Sequence, residues 1–165
     1  MLLENLPNFS ILRLFKFIHQ TMSVSDRLKA LKEEKSAANL KAAEQFLVEN
    51  ANQQGVVVLS SGLQYQILVE GNGEKPALHN VVTCHYHGTL ISGEVFDSSV
   101  KRGQPASFPV NGVIKGWVEA LQLMPVGSNW RLFLHPNLAY GDRQVSALIG
   151  PNCGLIFDVE LISFR

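Results

Sequence analysis

The chain has little of what usually announces a function. Only two of its 165 residues are cysteine, Cys84 and Cys153, and they lie far apart. That excludes a disulfide framework and a C-x-x-C metal or redox pair, and it fits a reducing compartment. Neither sign of charge is in excess: 14 Lys and Arg face 14 Asp and Glu, and no long basic run occurs. A nucleic-acid binder needs clustered cations against phosphate, so no nucleic-acid partner is expected. There is no G-x-S-x-G elbow, no Walker loop and no G-x-G-x-x-G. "EGNGE" at 70–74 has the glycines of a turn without the Lys-Ser/Thr of a phosphate site. Internal repeats and low-complexity tracts are also missing.

What is present is apolar bulk. Hydrophobic residues make up 46% of the chain, enough for one domain with a real core plus an appendage. The first residues, "MLLENLPNFSILRLFKFIHQT", are apolar, but Glu4 sits where a signal peptide wants positive charge. Arg13 and Lys16 interrupt the apolar run, no small-x-small cleavage site follows, and the run is too short and charged to span a bilayer. An amphipathic surface segment with Leu12, Phe15 and Ile18 on one face is one reading. The preferred one treats residues 1–24 as a disordered or artefactual leader, with Met22 as the natural start. The missing cleavage site places the protein in the cytoplasm, with the periplasm as the second choice.

Residues 25–54 read as a charged helix, with Ser25 as N-cap, Asp26 in the first turn and Gly55 closing it. Its apolar positions, Leu28, Leu31, Leu40, Phe46 and Leu47, are sparse, so it is expected to pack on little, or to pair with a partner. Residues 55–165 suit an antiparallel sheet. "VVVLSSGLQYQILVEGNGEKP" reads strand, turn, strand, turn. In "VVTCHYH", Val82, Cys84 and Tyr86 share the inward face, and His85 and His87 the outward one. In "GLIFDVELISF", Leu155, Phe157, Val159 and Leu161 point inward while Asp158 and Glu160 point out. One short helix near Lys115–Leu123 interrupts the strands. The fold class is α+β: a twisted antiparallel β-sheet wrapped on one short helix, preceded by the charged N-terminal helix.

Candidate chemistry is sparse. Cys84, on an inward strand face, reads as a buried inert thiol. His85-x-His87 puts two imidazoles on one strand face, but no third or fourth metal ligand lies nearby in sequence, and solvent-facing histidines are the better reading. "GEVFDSSVKRGQPASFPV" places Phe96, Asp97, Arg102 and Phe108 together, so that Asp97 orients Tyr86 at a pocket rim and Arg102 holds Asp97; the bland alternative is a surface ion pair. Trp117, one of two tryptophans, opens the short helix behind Val113 and Ile114 and is either ordinary core or the floor of a pocket.

Four segments then carry a likeness: "VTCHYHGTLISGEVFDSS", "FPVNGVIKGWVEALQLMPVGS", "LAYGDR" and "LIFDVELISF". In this order and spacing the chain resembles the FKBP-type peptidyl-prolyl cis–trans isomerases, and "FPVNGVIKGW" behind a charged helix is most similar to their bacterial, Mip-like branch. The resemblance implies an isomerase of X–Pro bonds acting during protein folding, without cofactor or metal. It implies Trp117 at the pocket floor, Val113 and Ile114 at the lip, and an Ile114 N–H donated to a substrate carbonyl. Tyr86, Phe96, Phe108 and Phe157 would form the walls, Asp97 the rim, and Leu148 and Ile149 an overhanging loop. Tyr140 would offer its hydroxyl to substrate, and Arg102 would support Asp97. The branch carries an N-terminal dimerisation module, of which only the helix is evident here. Ala106, Val145 and Gly150 depart from the family pattern and bear on substrate and macrolide preference. The implied partners are proline-containing polypeptides, macrolides such as rapamycin or tacrolimus, and a second copy through the N-terminal helix. The alternatives are a non-catalytic peptide-binding module or holdase chaperone, and a metal-handling protein using the histidines.

Overall fold

A computed structural model describes residues 23–165. The reading of residues 1–24 as a leader lies, but for its last two residues, outside them. Residues 35–165 form one compact unit, and the described residues before 35 fall in another.

The first element among the described residues is helix α1 (Val24–Asn50). It begins earlier than the expected Ser25 cap, because Ser23 takes that role: its Oγ accepts from the Asp26 N–H at 3.1 Å and bonds the Asp26 carboxylate at 2.7 Å. The helix ends at Asn50, and Gly55 (φ 81°) serves the turn that follows it rather than the helix end. Leu28 and Leu31, expected among the packing positions, are exposed. Beyond residue 35 the helix packs well, contrary to the expectation of a thin contact. Ala43 and Leu47 are buried, Asn50 Nδ2 donates to Gln64 Oε1 (2.8 Å), and Gln64 Nε2 donates to the Leu47 carbonyl (2.9 Å).

Seven strands follow: β1 (Val56–Val58), β2 (Gln64–Val69), β3 (Val81–Leu90), β4 (Val95–Ser98), β5 (Ala106–Pro109), β6 (Asn129–Leu134) and β7 (Leu155–Phe164). They make one antiparallel sheet ordered β1-β2-β6-β7-β3-β4, with β5 pairing on β3 beside Val81–Cys84. The alternation read from sequence holds. Val82, Cys84 and Tyr86 are buried on one face, as are Leu155, Phe157, Val159 and Leu161. Burial pushes the Cys84 thiol up to about 12, as befits an inert core cysteine.

Two α-helices, not one, interrupt the strands. Helix α2 (Ser99–Arg102) is a single turn after β4. Ser98 caps it by accepting from the Lys101 N–H (3.1 Å), and Gly103 ends it in the left-handed conformation (φ 69°). So short a turn has no hydrophobic periodicity to betray it. Helix α3 (Lys115–Leu123) matches its expected bounds and lays Trp117, Ala120 and Leu121 into the core formed by the inward strand residues. Gly116 lets it approach β6: a Cβ there would stand 2.6 Å from Leu134 Cδ2.

The outward histidines are not simply solvent-facing. Both are half-buried, with His85 Nδ1 3.1 Å from Ser99 Oγ and His87 Nδ1 2.9 Å from Ser98 Oγ. Among the described residues no group of three or more His, Cys, Asp or Glu is placed to hold a metal.

Candidate active site

The inward face of the sheet, α3 and the loop before β7 enclose a cavity of about 470 Å³. Its floor is Trp117, the third residue of α3, 4% exposed. Three rings meet the indole nearly edge-on: Phe157 at 5.3 Å between centroids (83°), Tyr86 at 5.6 Å (79°) and Phe108 at 5.9 Å (86°). Phe96 stands edge-on to Phe157 at 5.4 Å. Edge-to-face contact points positive ring edges at negative ring faces, so the cluster is rigid as well as apolar. The indole N–H finds no acceptor among the described residues.

Gly88 is what allows this density. It follows Tyr86 by two residues on the inward face of β3, where a Cβ would lie 2.6 Å from Phe96 Cζ and 2.9 Å from Phe157 Cε1.

The rim is polar. The Tyr86 hydroxyl donates to Asp97 Oδ2 at 2.6 Å. Arg102 Nη1 bonds Asp97 Oδ1, and Arg102 Nη2 donates to the Tyr86 oxygen at 2.8 Å. The guanidinium also lies 5.6 Å from the Tyr86 ring centroid. Helix α2 makes this closed set by carrying Arg102 back beside β4. Burial opposes ionisation of Asp97, but the bonds from Tyr86 and Arg102 overcome it and hold the carboxyl below its ordinary range. Burial, then the bond to Asp97, pushes the Tyr86 phenol up. Tyr86 thus stays protonated with its hydrogen committed to Asp97, and presents its ring to the cavity.

Two donors belong to residues that line the space. Ile114 precedes the first residue of α3; its carbonyl accepts from Trp117 and Val118 (2.9 and 3.0 Å), while its N–H stands outside the helix ladder. Tyr140 also lines the cavity, and burial followed by the Asp97 charge raises its pKa, so its hydroxyl keeps its proton.

The residues singled out in sequence converge. Tyr86, Phe96, Asp97, Phe108, Val113, Ile114, Trp117, Tyr140, Ile149 and Phe157 all line the cavity. Arg102 stands behind Asp97. Leu148 does not line it. The Val145 and Ser146 N–H groups both bond the Ile149 carbonyl (3.0 and 3.3 Å), a turn tight enough to send Ile149 inward (6% exposed) and Leu148 outward (37%). Val145, noted in the sequence as bearing on substrate and macrolide preference, lines it as well, and Gly112 and Ser146 do so without having been singled out. Nothing in their residue types signals this, since the turn geometry that aims them is set by backbone bonds.

A larger groove, about 620 Å³, lies on the outward face of the sheet. Its walls carry ion-paired and amide groups, including Arg131, Asp158, Gln53, Gln54 and Gln66, and its rings are one tilted pair, Phe46 and Phe133 at 6.0 Å, rather than a cluster around an indole. The aromatic cavity is the better candidate, being apolar with a few convergent donors.

Comparison with known proteins agrees with the architecture. Residues 72–162 match the family described as FKBP-type peptidyl-prolyl cis-trans isomerase, and residues 13–67 the domain amino terminal to it. The second match begins before Met22. The chain is 47% identical over 146 residues to the FKBP-type 22 kDa peptidyl-prolyl cis-trans isomerase of Escherichia coli (strain K12), covering 88% of this chain and 71% of that one. It is 52% identical over 131 residues to a Legionella longbeachae protein named outer membrane protein MIP, covering 79% and 56%. It therefore spans little more than half of that relative's length. The crystal structure of FkpA from Escherichia coli superposes with a TM-score of 0.81 at 36% identity, covering 95% of this chain and 74% of that one. A relative named for the outer membrane gives the cytoplasmic expectation no support. No helix among the described residues is long and apolar enough to cross a membrane.

Proposed function

We propose the mechanism of this chain, which belongs to the FKBP-type peptidyl-prolyl cis–trans isomerase family, as follows: the Trp117 cavity takes the proline ring of a polypeptide and eases rotation of the preceding bond. The observation that carries this is the edge-on ring cluster around Trp117, closed at one rim by Tyr86, Asp97 and Arg102.

Rotation about an X–Pro bond faces about 18–20 kcal/mol because amide resonance is lost at the twist. Unassisted, it takes on the order of 10–100 s. No covalent bond is made or broken, so the reaction calls for no nucleophile. The planar amide separates more charge than the twisted one. A dry apolar cavity therefore stabilises the twisted form relative to water. In this reading the Ile114 N–H and the Tyr140 hydroxyl hold substrate carbonyls and fix the geometry in which the twist occurs, which their position in the cavity lining supports. Asp97 and Arg102 act through Tyr86, fixing the ring against which the substrate packs.

The test is proline isomerisation in a short Xaa-Pro-Phe peptide, followed without a coupling protease, with and without rapamycin. Catalysis that rapamycin abolishes is expected. Absence of catalysis by folded protein would overturn the reading. Catalysis that resists rapamycin would keep the isomerase and assign the lost macrolide affinity to Ala106, Val145 and Gly150. We further propose that the chain pairs with a second copy through α1, supported by the exposure of Val24, Leu28 and Leu31. Sedimentation of the full chain as a monomer at micromolar concentration would refute that. We place its work outside the cytoplasm, on the strength of the similarity to the Legionella protein, and fractionation of the source cell tests this.

A further inference from the structure

The loop that closes the cavity is held from behind by a helix that lines no part of it. Ile149, inside the cavity, runs directly into Gly150 and Pro151, both buried, and then into Asn152 and Cys153. Behind this segment lies α1. Its residues Ser36, Asn39, Ala43, Leu47 and Asn50 recur every three or four positions and form one stripe of the helix. The lower part of the stripe is conventional core. The upper part is polar and spends its hydrogen bonds on the loop. Asn39 Nδ2 donates to the Pro151 carbonyl at 2.8 Å and reaches Cys153 Sγ at 3.4 Å. Asn152 Nδ2 donates to Ser36 Oγ at 2.9 Å.

Packing reinforces those bonds. A Cβ on Gly150 would sit 3.5 Å from Asn39 Nδ2 and 3.7 Å from Lys35 Cε, so the backbone after Ile149 is in van der Waals reach of the helix. At Gly154 a Cβ would stand 2.9 Å from the Ala43 Cβ, leaving no room for a side chain between helix and loop. Asn152 adopts φ 55°, and its N–H bonds the Gly141 carbonyl (2.8 Å), closing the base of the loop. Between these anchors, residues 142–148 are all exposed. The turn bonds to Ile149 shape the segment internally, and with so few buried contacts of its own its placement is set by its ends.

We propose that Ser36 and Asn39 are positioning residues of the isomerase site: through Asn152 and Pro151 they fix the loop so that Val145, Ser146 and Ile149 complete the cavity wall. This rests on the Trp117 cavity being the place of catalysis. The loop supplies wall area, whereas Trp117 and the Tyr86–Asp97–Arg102 set stand on α3, β3, β4 and α2. Loosening the loop therefore weakens substrate binding and leaves the rotation step of bound substrate unchanged.

The experiment compares the full chain with its Ser36→Ala/Asn39→Ala double variant, in peptide isomerisation and in amide hydrogen exchange. Each lost bond is expected to shift loop closure about fivefold, so KM should rise about tenfold or more while kcat stays within about twofold. The Val145, Ser146 and Ile149 amides should exchange at least about tenfold faster, with the β7 amides unchanged. Ser36→Thr, which keeps the hydroxyl, should retain the original KM. Ile149→Ala should raise KM in the parent and add little in the double variant. Unchanged KM and unchanged loop exchange would overturn the proposal, as would faster exchange spread evenly over loop and sheet. If instead Trp117→Ala keeps full activity, the placement of catalysis fails, and the loop-exchange readout still reports separately on whether the helix holds the loop.

Discussion

Two cavities lie on opposite faces of the same sheet, and each has an aspartate gripped by an arginine. On the outward face Arg131 and Asp158 are direct cross-strand partners on β6 and β7, joined by two bonds of 2.6 and 2.7 Å. On the inward face Arg102 and Asp97 are joined through a short helix, and their network includes a phenol. The outward pair is complete in itself and ties two strands in register. The inward pair aims a third group, Tyr86, across a cavity floored by Trp117. Similar ion-pair chemistry thus serves stability on one face and placement on the other. The difference lies in what the pair leaves engaged with the cavity.

The largest expected effect comes from breaking the inward floor. Trp117→Ala should cost about 3–5 kcal/mol of stability, as for other buried aromatics, and lower kcat/KM by at least about tenfold in the fraction that stays folded. Denaturant unfolding read alongside the peptide assay separates the two. Next is Gly88→Ala, whose methyl would drive into Phe96 and Phe157. An overpacking cost of about 1–3 kcal/mol is expected, with activity falling because the wall rings move.

The direct contrast is Asp97→Asn against Asp158→Asn. The first should leave the unfolding midpoint nearly unchanged, since the half-buried Asp97 still exposes 43% of its side chain to solvent screening, while lowering kcat/KM by about tenfold. The second should lower stability by about 1 kcal/mol or less and leave kcat/KM unchanged. Equal activity of the two variants would dissolve the distinction between the faces.

The smallest effect is on pH. The Asp97 carboxyl is held below its ordinary value of 3.8, so the contribution of its network is complete above that value and is lost as pH falls through the lower native one. The Tyr86 phenol is raised above 10.0, so its contribution holds below that value and is lost as pH rises through the native one. Activity governed by this network should be flat between those limits. Asp97→Asn should remove the acid limb from a kcat/KM profile.

Much of the inward face was legible because alternation in β3 and β7 and the bulk of Trp117 are properties of residue type. Val82, Cys84, Tyr86 and Phe157 could fall on only one face once the period of two was read. Helix α2 was not legible. Four residues carry no periodicity, yet they decide where Arg102 lies. The orientation of Leu148 failed for a related reason: two backbone bonds to the Ile149 carbonyl, not hydrophobicity, choose which of the neighbouring aliphatics faces in. The packing of α1 beyond residue 35 was hidden because its packed stripe contains Ser36, Asn39 and Asn50, which look like surface residues until their partners are known.

The most direct measurement is a titration of ¹⁵N-labelled protein with a short Xaa-Pro-Phe peptide, following backbone and indole shifts while the peptide's own cis–trans exchange is recorded in the same tube. The account predicts that the Ile114 amide and the Trp117 indole shift as exchange accelerates, with Arg131, Phe133 and Ile156, which line the outward groove, unmoved. Accelerated exchange with shifts gathered at Arg131, Phe133 and Ile156 would put the chemistry on the outward face and contradict it.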